Sequence, residues 1–254
     1  MSQSVRRVAV VGDDAVLPDA VDGLDALRDV VTDAGGRLVE SPELDGALDA
    51  IVAVGEAAVI DAALAASPSG DDGETPVLPV GVGRHAVPGT AAPDAIRQLI
   101  AGETRIVEHP VASVSLDGNL AGRAAFDVAL VVDEPARISE YGVQFPNGSG
   151  ATVRADAVVV ATPLGSDGYA GAAGGPVLEP DTGLAVVPVS PFTTGAETWV
   201  APDSVTLSVE RDGEPVSLII DDTRAERVPA NEPVRIRGSG RVPLLSTPAA
   251  RDDR

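Results

Sequence analysis

Residues 161–176 read A-T-P-L-G-S-D-G-Y-A-G-A-A-G-G-P. They follow Ala157-Val158-Val159-Val160, an unbroken apolar run rich in β-branched residues that predicts a buried strand. Thr162-Pro163 ends that strand, because proline lacks the amide a sheet ladder needs. Five glycines then fall between positions 165 and 175. Glycine at this density marks backbone at unusual dihedrals, or backbone that another group approaches closely. Thr162 and Ser166 add hydroxyls, Asp167 a carboxylate and Tyr169 the one ring of the stretch. A ring set among residues without side chains offers a platform for a planar ligand. A long irregular turn in a β domain would use the same residues.

Outward from this block the chain divides into two patterns. Before it, a short strand over 7–11 runs into Gly12-Asp13-Asp14, and Pro18-Asp19 opens an amphipathic helix carrying Val21, Leu24, Leu27, Val30 and Val31. Gly35-Gly36 ends that helix. Strands over 37–40, 50–54 and 77–80 alternate with helices over 43–49, 57–66 and 92–100, and 67–75 reads as a solvated loop. Alternation of this kind predicts a parallel sheet covered on both faces. After residue 101 the pattern changes to short strands, clearest at 128–132, 157–161, 185–189, 205–209 and 216–220. They are separated by turn signals at Asp117-Gly118-Asn119, Pro146-Asn147-Gly148 and Arg211-Asp212-Gly213-Glu214. The expected fold is an α/β domain over 1–103 followed by an all-β, sandwich-like domain over 104–254. Residues 248–254 read as a frayed tail.

Composition narrows the chemistry. The 254 residues carry a net charge of −21, and all 18 basic side chains are arginine. So acidic a surface repels phosphate backbones, which argues against nucleic acid as a partner. Abundant carboxylates without lysine suit a salt-rich, halophilic cytoplasm, where self-repulsion is screened over a few ångströms. The absence of cysteine excludes disulfides, thiolate nucleophiles and cysteine-ligated metals. The absence of lysine excludes Schiff-base chemistry and the phosphate-binding lysine of a P-loop. No apolar run is long enough to span a bilayer, and the opening residues run directly into the first strand without a leader pattern. The expectation is a soluble, cytoplasmic protein with no membrane partner.

Common site signatures are missing. No G-x-G-x-x-G follows the first strand. His85 and His109, the only histidines, lie in separate segments and read as solvated loop residues, so no metal site is expected. Two features remain. In Val54-Gly55-Glu56-Ala57-Ala58 a carboxylate sits where a strand gives way to a helix, the edge at which open α/β sheets bind ligands. The same carboxylate suits an ordinary first-turn position that complements the helix dipole, and the local sequence leaves both readings open. The other feature is the glycine-rich block, preceded by Arg154-Ala155-Asp156.

Thr162-Pro163-x-Gly165-Ser166-x-x-Tyr169, followed by Ala173-Gly174-Gly175-Pro176, resembles the T-P-T-G-S-T-A-Y…A-G-G-P signature of NAD kinases. Further segments are similar in order and spacing. Residues 50–58 resemble the strand and turn that carry G-G-D-G-T. The stretch 76–84, ending in Gly83-Arg84, resembles P-i-l-G-i-N-l-G-R, Arg154-Ala-Asp156-Ala resembles R-G-D-G, and 187–191 resemble l-t-P-i-s-P. The resemblance implies phosphoryl transfer from ATP or polyphosphate, with Mg²⁺, to the 2′-hydroxyl of NAD. Glu56 then takes the place of the catalytic base, with Gly55, Arg84, Asp127, Asp156, Thr162, Gly165, Ser166, Asp167, Gly168 and Tyr169 binding nucleotide. The family's habit implies a homo-oligomer assembled through the β domain.

Where chemistry is expected, the chain departs from the family. G-G-D-G-T has become Val54-Gly55-Glu56-Ala57-Ala58, which sets the carboxylate one methylene farther out. Misplacing a catalytic group by about 1 Å can cost roughly a hundredfold in rate. The Asn-Glu/Asp pair reads Phe126-Asp127, T-A-Y reads Asp167-Gly168-Tyr169, and Gly81 replaces the asparagine before Gly83-Arg84. These changes open two alternatives beside an active NAD kinase. One is a nucleotide-binding regulatory relative with weak or no activity. The other is a kinase of the same fold acting on a different hydroxyl.

Overall fold

The computed structural model describes residues 6–18, 20–39, 48–66, 75–134, 137–193, 197–211 and 213–248. The chain divides into two compact units, Met1–His109 with Arg241–Arg254, and Pro110–Gly240. In the first, β1 (Arg7–Gly12), α1 (Gly23–Asp33), β2 (Arg37–Leu38), β3 (Ala50–Val54), α2 (Glu56–Ala66), β4 (Val77–Val80) and α3 (Ala92–Ala101) follow one another. The strands pair in parallel in the order β2-β1-β3-β4. Leu24, Leu27 and Val31 of α1, with Ala95, Ile96 and Leu99 of α3, close over Val8, Val10, Val52, Val54, Leu78 and Val80. The alternate residues Ala9, Ile51 and Ala53 are buried as well, and α2 packs on β1, β3 and β4. Burial on both faces is why β3 and β4 lack the alternation of a half-exposed strand.

Helix α1 begins later than Pro18-Asp19 implied. The chain turns once at Pro18, with the Val21 amide on its carbonyl, and the helix starts at Gly23. The Asp14 carboxylate, ten residues upstream, accepts the Leu24 amide at 2.6 Å and supplies the cap. Strand β2 is only two residues long. Positions 43–47 of the expected second helix, most of the 67–75 loop and residues 249–254 lie outside the described residues, and Leu48 and Asp49 are not helical. Among the described residues no helix is long and apolar enough to cross a membrane.

The second unit takes most of β5 (Arg105–Leu116), then β6 (Asn119–Ala124), β7 (Asp127–Val132), β8 (Ser139–Gln144), β9 (Gly150–Ala155), β10 (Ala157–Ala161) and the single turn α4 (Tyr169–Ala172). After these come β11 (Leu184–Val189), β12 (Trp199–Ala201), β13 (Ser204–Val209), β14 (Val216–Ile220), β15 (Thr223–Arg227) and the start of β16 (Val234–Ser246). One antiparallel sheet runs β16-β13-β8-β9, with β5 and β6 beside β16. The other runs β12-β11-β10-β7-β14-β15, also antiparallel throughout. Valines, leucines and Tyr141 from both sheets form the core between them. The far end of β16 returns to the first unit, where Leu244 pairs in parallel with Val77.

Strand β10 has a second reason for its valine run. Val158 and Val160 enter the sandwich core. Val159 and Ala161 instead meet Ala170 and Leu178, so the glycine-rich segment covers the outer face of the second sheet.

Candidate functional site

In the first unit, Gly55 follows β3 at the carboxyl end of the parallel sheet. Its φ of +86° lies in the left-handed region open to glycine, and its amide donates to the Val80 carbonyl at 3.0 Å. The added Cβ of any other residue would stand 3.0 Å from Cγ2 of Val16. Glu56 comes next, exposed, as the first residue of α2. Asp13 and Asp14 share this edge and have structural tasks: Asp13 caps the Ala15 amide at 2.9 Å, and Asp14 caps α1. Arg84 is half-buried in the loop after β4.

The solvated-loop reading of His109 is overturned. It is fully buried on β5, and its ring meets that of half-buried His85 edge-on, with centroids 5.4 Å apart. A buried aromatic contact, invisible to local sequence, draws it inside.

In the second unit the structure gathers much of the glycine-rich block around β10. Thr162 is buried; its amide bonds the Phe126 carbonyl at 2.8 Å, and its hydroxyl donates to the Ala125 carbonyl at 2.6 Å. Ser166 is buried too, donating to the Pro163 carbonyl and accepting the Leu178 amide, each at 2.9 Å. Both hydroxyls therefore hold the loop to the sheet. Gly165 lies so close to Phe126 that a Cβ would stand 2.5 Å from its carbonyl oxygen. Asp167, Gly168 and Tyr169 are exposed, and Gly168 precedes the turn of α4.

Two carboxylates act on the phenol of Tyr169. Burial pushes its phenol up, and the negative charges of Asp127 and then Asp156 push it further. Asp127 pairs with Ala161 at one end of β10, and Asp156 immediately precedes the other. Beneath them, the buried Tyr141 donates to the Asp156 carbonyl at 3.2 Å. Its phenol is raised still more, by burial first and then by Asp156 and Tyr169. The result is a neutral phenol donor beside acceptor carboxylates. That set suits the hydroxyls and amines of a nucleoside and repels its phosphates.

Sequence reasoning missed the residue that holds this arrangement. Asp221, in the β14–β15 turn, accepts three consecutive amides: Ala125 at 2.9 Å, Phe126 at 2.7 Å and Asp127 at 3.0 Å. Its own amide donates to the Asp127 carbonyl at 2.8 Å. Asp221-Asp222 between two short strands signals a hairpin turn in the sequence, and nothing local points to residues ninety-odd positions away. Phe126, which replaces an amide side chain of the family pattern, is 5% exposed and packs inward. Among the described residues no group of three or more histidine, aspartate or glutamate side chains could hold a metal ion.

Comparison with known proteins follows the same outline. Residues 126–245 match the family described as the ATP-NAD kinase C-terminal domain. The NAD kinase of Methanosarcina barkeri is 32% identical over 129 residues, which cover 50% of this chain and 47% of that protein. The NAD kinase of Picrophilus torridus is 32% identical over 145 residues, 57% of this chain and 54% of its own. The match thus spans about half the length of these relatives. Among solved structures, yeast NADH kinase complexed with NADH superposes with a TM-score of 0.71 at 14% identity, over 97% of this chain and 85% of that one. An NAD kinase from Archaeoglobus fulgidus in complex with ATP gives 0.65 at 21% identity, over 94% and 92%. At those identities the two structures establish the fold: a parallel α/β sheet domain and an antiparallel β domain. Residues 126–245, the segment that includes Asp127, Asp156 and the Tyr169 loop, are thus similar to the C-terminal domain of ATP-NAD kinases, and the chain has the fold of NAD kinase structures.

Proposed function

We propose that the chain phosphorylates the 2′-hydroxyl of NAD, with ATP or polyphosphate as donor, to give NADP. The observation that carries this reading is the Tyr169 phenol, raised by burial and by the charges of Asp127 and Asp156, inside the segment that matches the ATP-NAD kinase C-terminal domain. Acceptor carboxylates and a neutral phenol bind the hydroxyls and ring amine of an adenosine; Thr162, Gly165 and Ser166 fix the loop that presents the phenol. Glu56 accepts the proton of the 2′-hydroxyl. The freed oxygen forms the new bond to the γ-phosphorus, the bond to the β,γ-bridging oxygen breaks, and ADP leaves. Mg²⁺ would enter with the donor, as the counterion of its phosphates. Assembly into a homo-oligomer through the second unit is part of the same reading.

The test is ligand-dependent stabilisation. NAD raises the melting temperature of the wild type, and the rise shrinks in Tyr169→Ala and Asp127→Asn. Equal stabilisation of all three proteins contradicts the assignment.

A second reading, nucleotide binding without turnover, is favoured by one observation: Glu56 and Ala57 already form the first turn of α2. Binding of NAD with no NADP formed from either donor selects it.

A further inference from the structure

A cavity of about 480 Å³ opens beside the β8–β9 turn of the β unit, and none of its lining residues belongs to the candidate site. The β8–β9 turn forms one wall through Phe145, Asn147 and Ser149. The other is formed by Thr198 and Trp199 at β12 and by Asp203, which lies just before β13. The rings of Phe145 and Trp199 stand 6.1 Å apart, inclined at 57°, so they meet at an angle rather than stacking flat, and both residues line the space. Both lean on the sandwich core, which holds them in place.

The polar part of the wall is already organised. Asn147 Oδ1 accepts the Ser149 amide at 2.9 Å and the Ser149 hydroxyl at 2.7 Å, and the Phe145 amide donates to the Ser149 carbonyl at 2.9 Å. The turn therefore needs no ligand to take its shape. Asp203 gives its backbone carbonyl to the Gly238 amide at 3.0 Å, and its exposed carboxylate makes no ion pair among the described residues.

Electrostatics selects the occupant. Among the described residues Asp203 is the one charged residue lining the cavity and no arginine or histidine lines it, and the whole chain carries −21. Phosphates and carboxylates are repelled. Two aromatic faces beside a carboxylate attract a cation whose bulk is weakly hydrated, since ring quadrupoles draw positive charge and apolar walls reward its alkyl groups. We propose that this cavity binds a small alkylated ammonium ion, its charged head against the Phe145 and Trp199 rings and balanced by Asp203. The site does not depend on the kinase reading and takes a ligand of opposite charge to a nucleotide.

Trp199 is the chain's only tryptophan, so its fluorescence reports on the cavity alone. The experiment titrates the full chain with tetramethylammonium chloride at constant chloride, and in parallel with tert-butanol as an uncharged body of similar shape. A saturable change with the cation and none with the alcohol is expected. Asp203→Asn weakens binding about fivefold or more, and Phe145→Leu does likewise. Both variants keep the wild-type circular dichroism. A cation response that fails to saturate, an equal response to tert-butanol, or unchanged affinity in a folded Asp203→Asn overturns the proposal.

Discussion

The carboxylate of Asp221 holds Phe126: one oxygen accepts the Phe126 amide at 2.7 Å and the Asp127 amide at 3.0 Å, while the other takes Ala125 at 2.9 Å. The same segment receives the Thr162 amide and hydroxyl from the opposite side. Asp221 and the glycine-rich loop thus grip residues 125–127 between them. Removing the carboxylate in Asp221→Ala leaves three donors without acceptors, at a cost of about 2–4 kcal/mol, read as a lower urea midpoint.

Burial pushes the Asp221 carboxyl up, against the pull of the three amides, with Asp222 adding to the rise. A carboxyl raised in the folded state favours folding fully below its unfolded pKa and loses that contribution as pH climbs through the folded value. The stability of the wild type relative to Asp221→Asn should therefore fall with rising pH across that window and level off above it. A relative stability that grows with pH contradicts the assignment.

Gly165→Ala places a methyl group 2.5 Å from the Phe126 carbonyl oxygen, a backbone atom that cannot swing aside. The expected loss is about 1–3 kcal/mol, with a weakened NAD response because the Tyr169 loop must shift. Calorimetry on the variant, with and without NAD, checks both.

The two tyrosines of the chain make its phenol titration readable. Both should ionise above the ordinary tyrosine range, Tyr141 later than Tyr169, as followed by absorbance near 295 nm. Asp127→Asn should lower the Tyr169 step alone, whereas Asp156→Asn should lower both. A Tyr169 step unmoved by either substitution would show that these carboxylates do not face the phenol.

Much of the architecture was legible because periodicity is local. The apolar runs over Ala50–Val54, Val77–Val80, Ala157–Ala161 and Val216–Ile220 stand as strands with the bounds their composition gives. The Thr162–Tyr169 block was legible through its resemblance to one family. What stayed hidden depends on distant partners. Asp14 caps a helix ten residues away, Asp221 grips a segment more than ninety residues away, and His109 is buried against His85. The last part of β16 reads as one more β strand, yet belongs with the first unit because Leu244 finds Val77. Thr162 and Ser166, chosen as nucleotide contacts, have hydroxyls turned to the chain's own backbone; sequence marks such residues without saying which way they point.

The most direct measurement is NADP formation from NAD, Mg²⁺ and either ATP or polyphosphate, in high potassium chloride, for the wild type and Glu56→Ala. The wild type should turn over and the variant should lose about a hundredfold or more in rate, with NAD still bound. No NADP from the folded wild type with either donor contradicts the kinase reading, and an unchanged rate in Glu56→Ala contradicts the role given to that carboxylate.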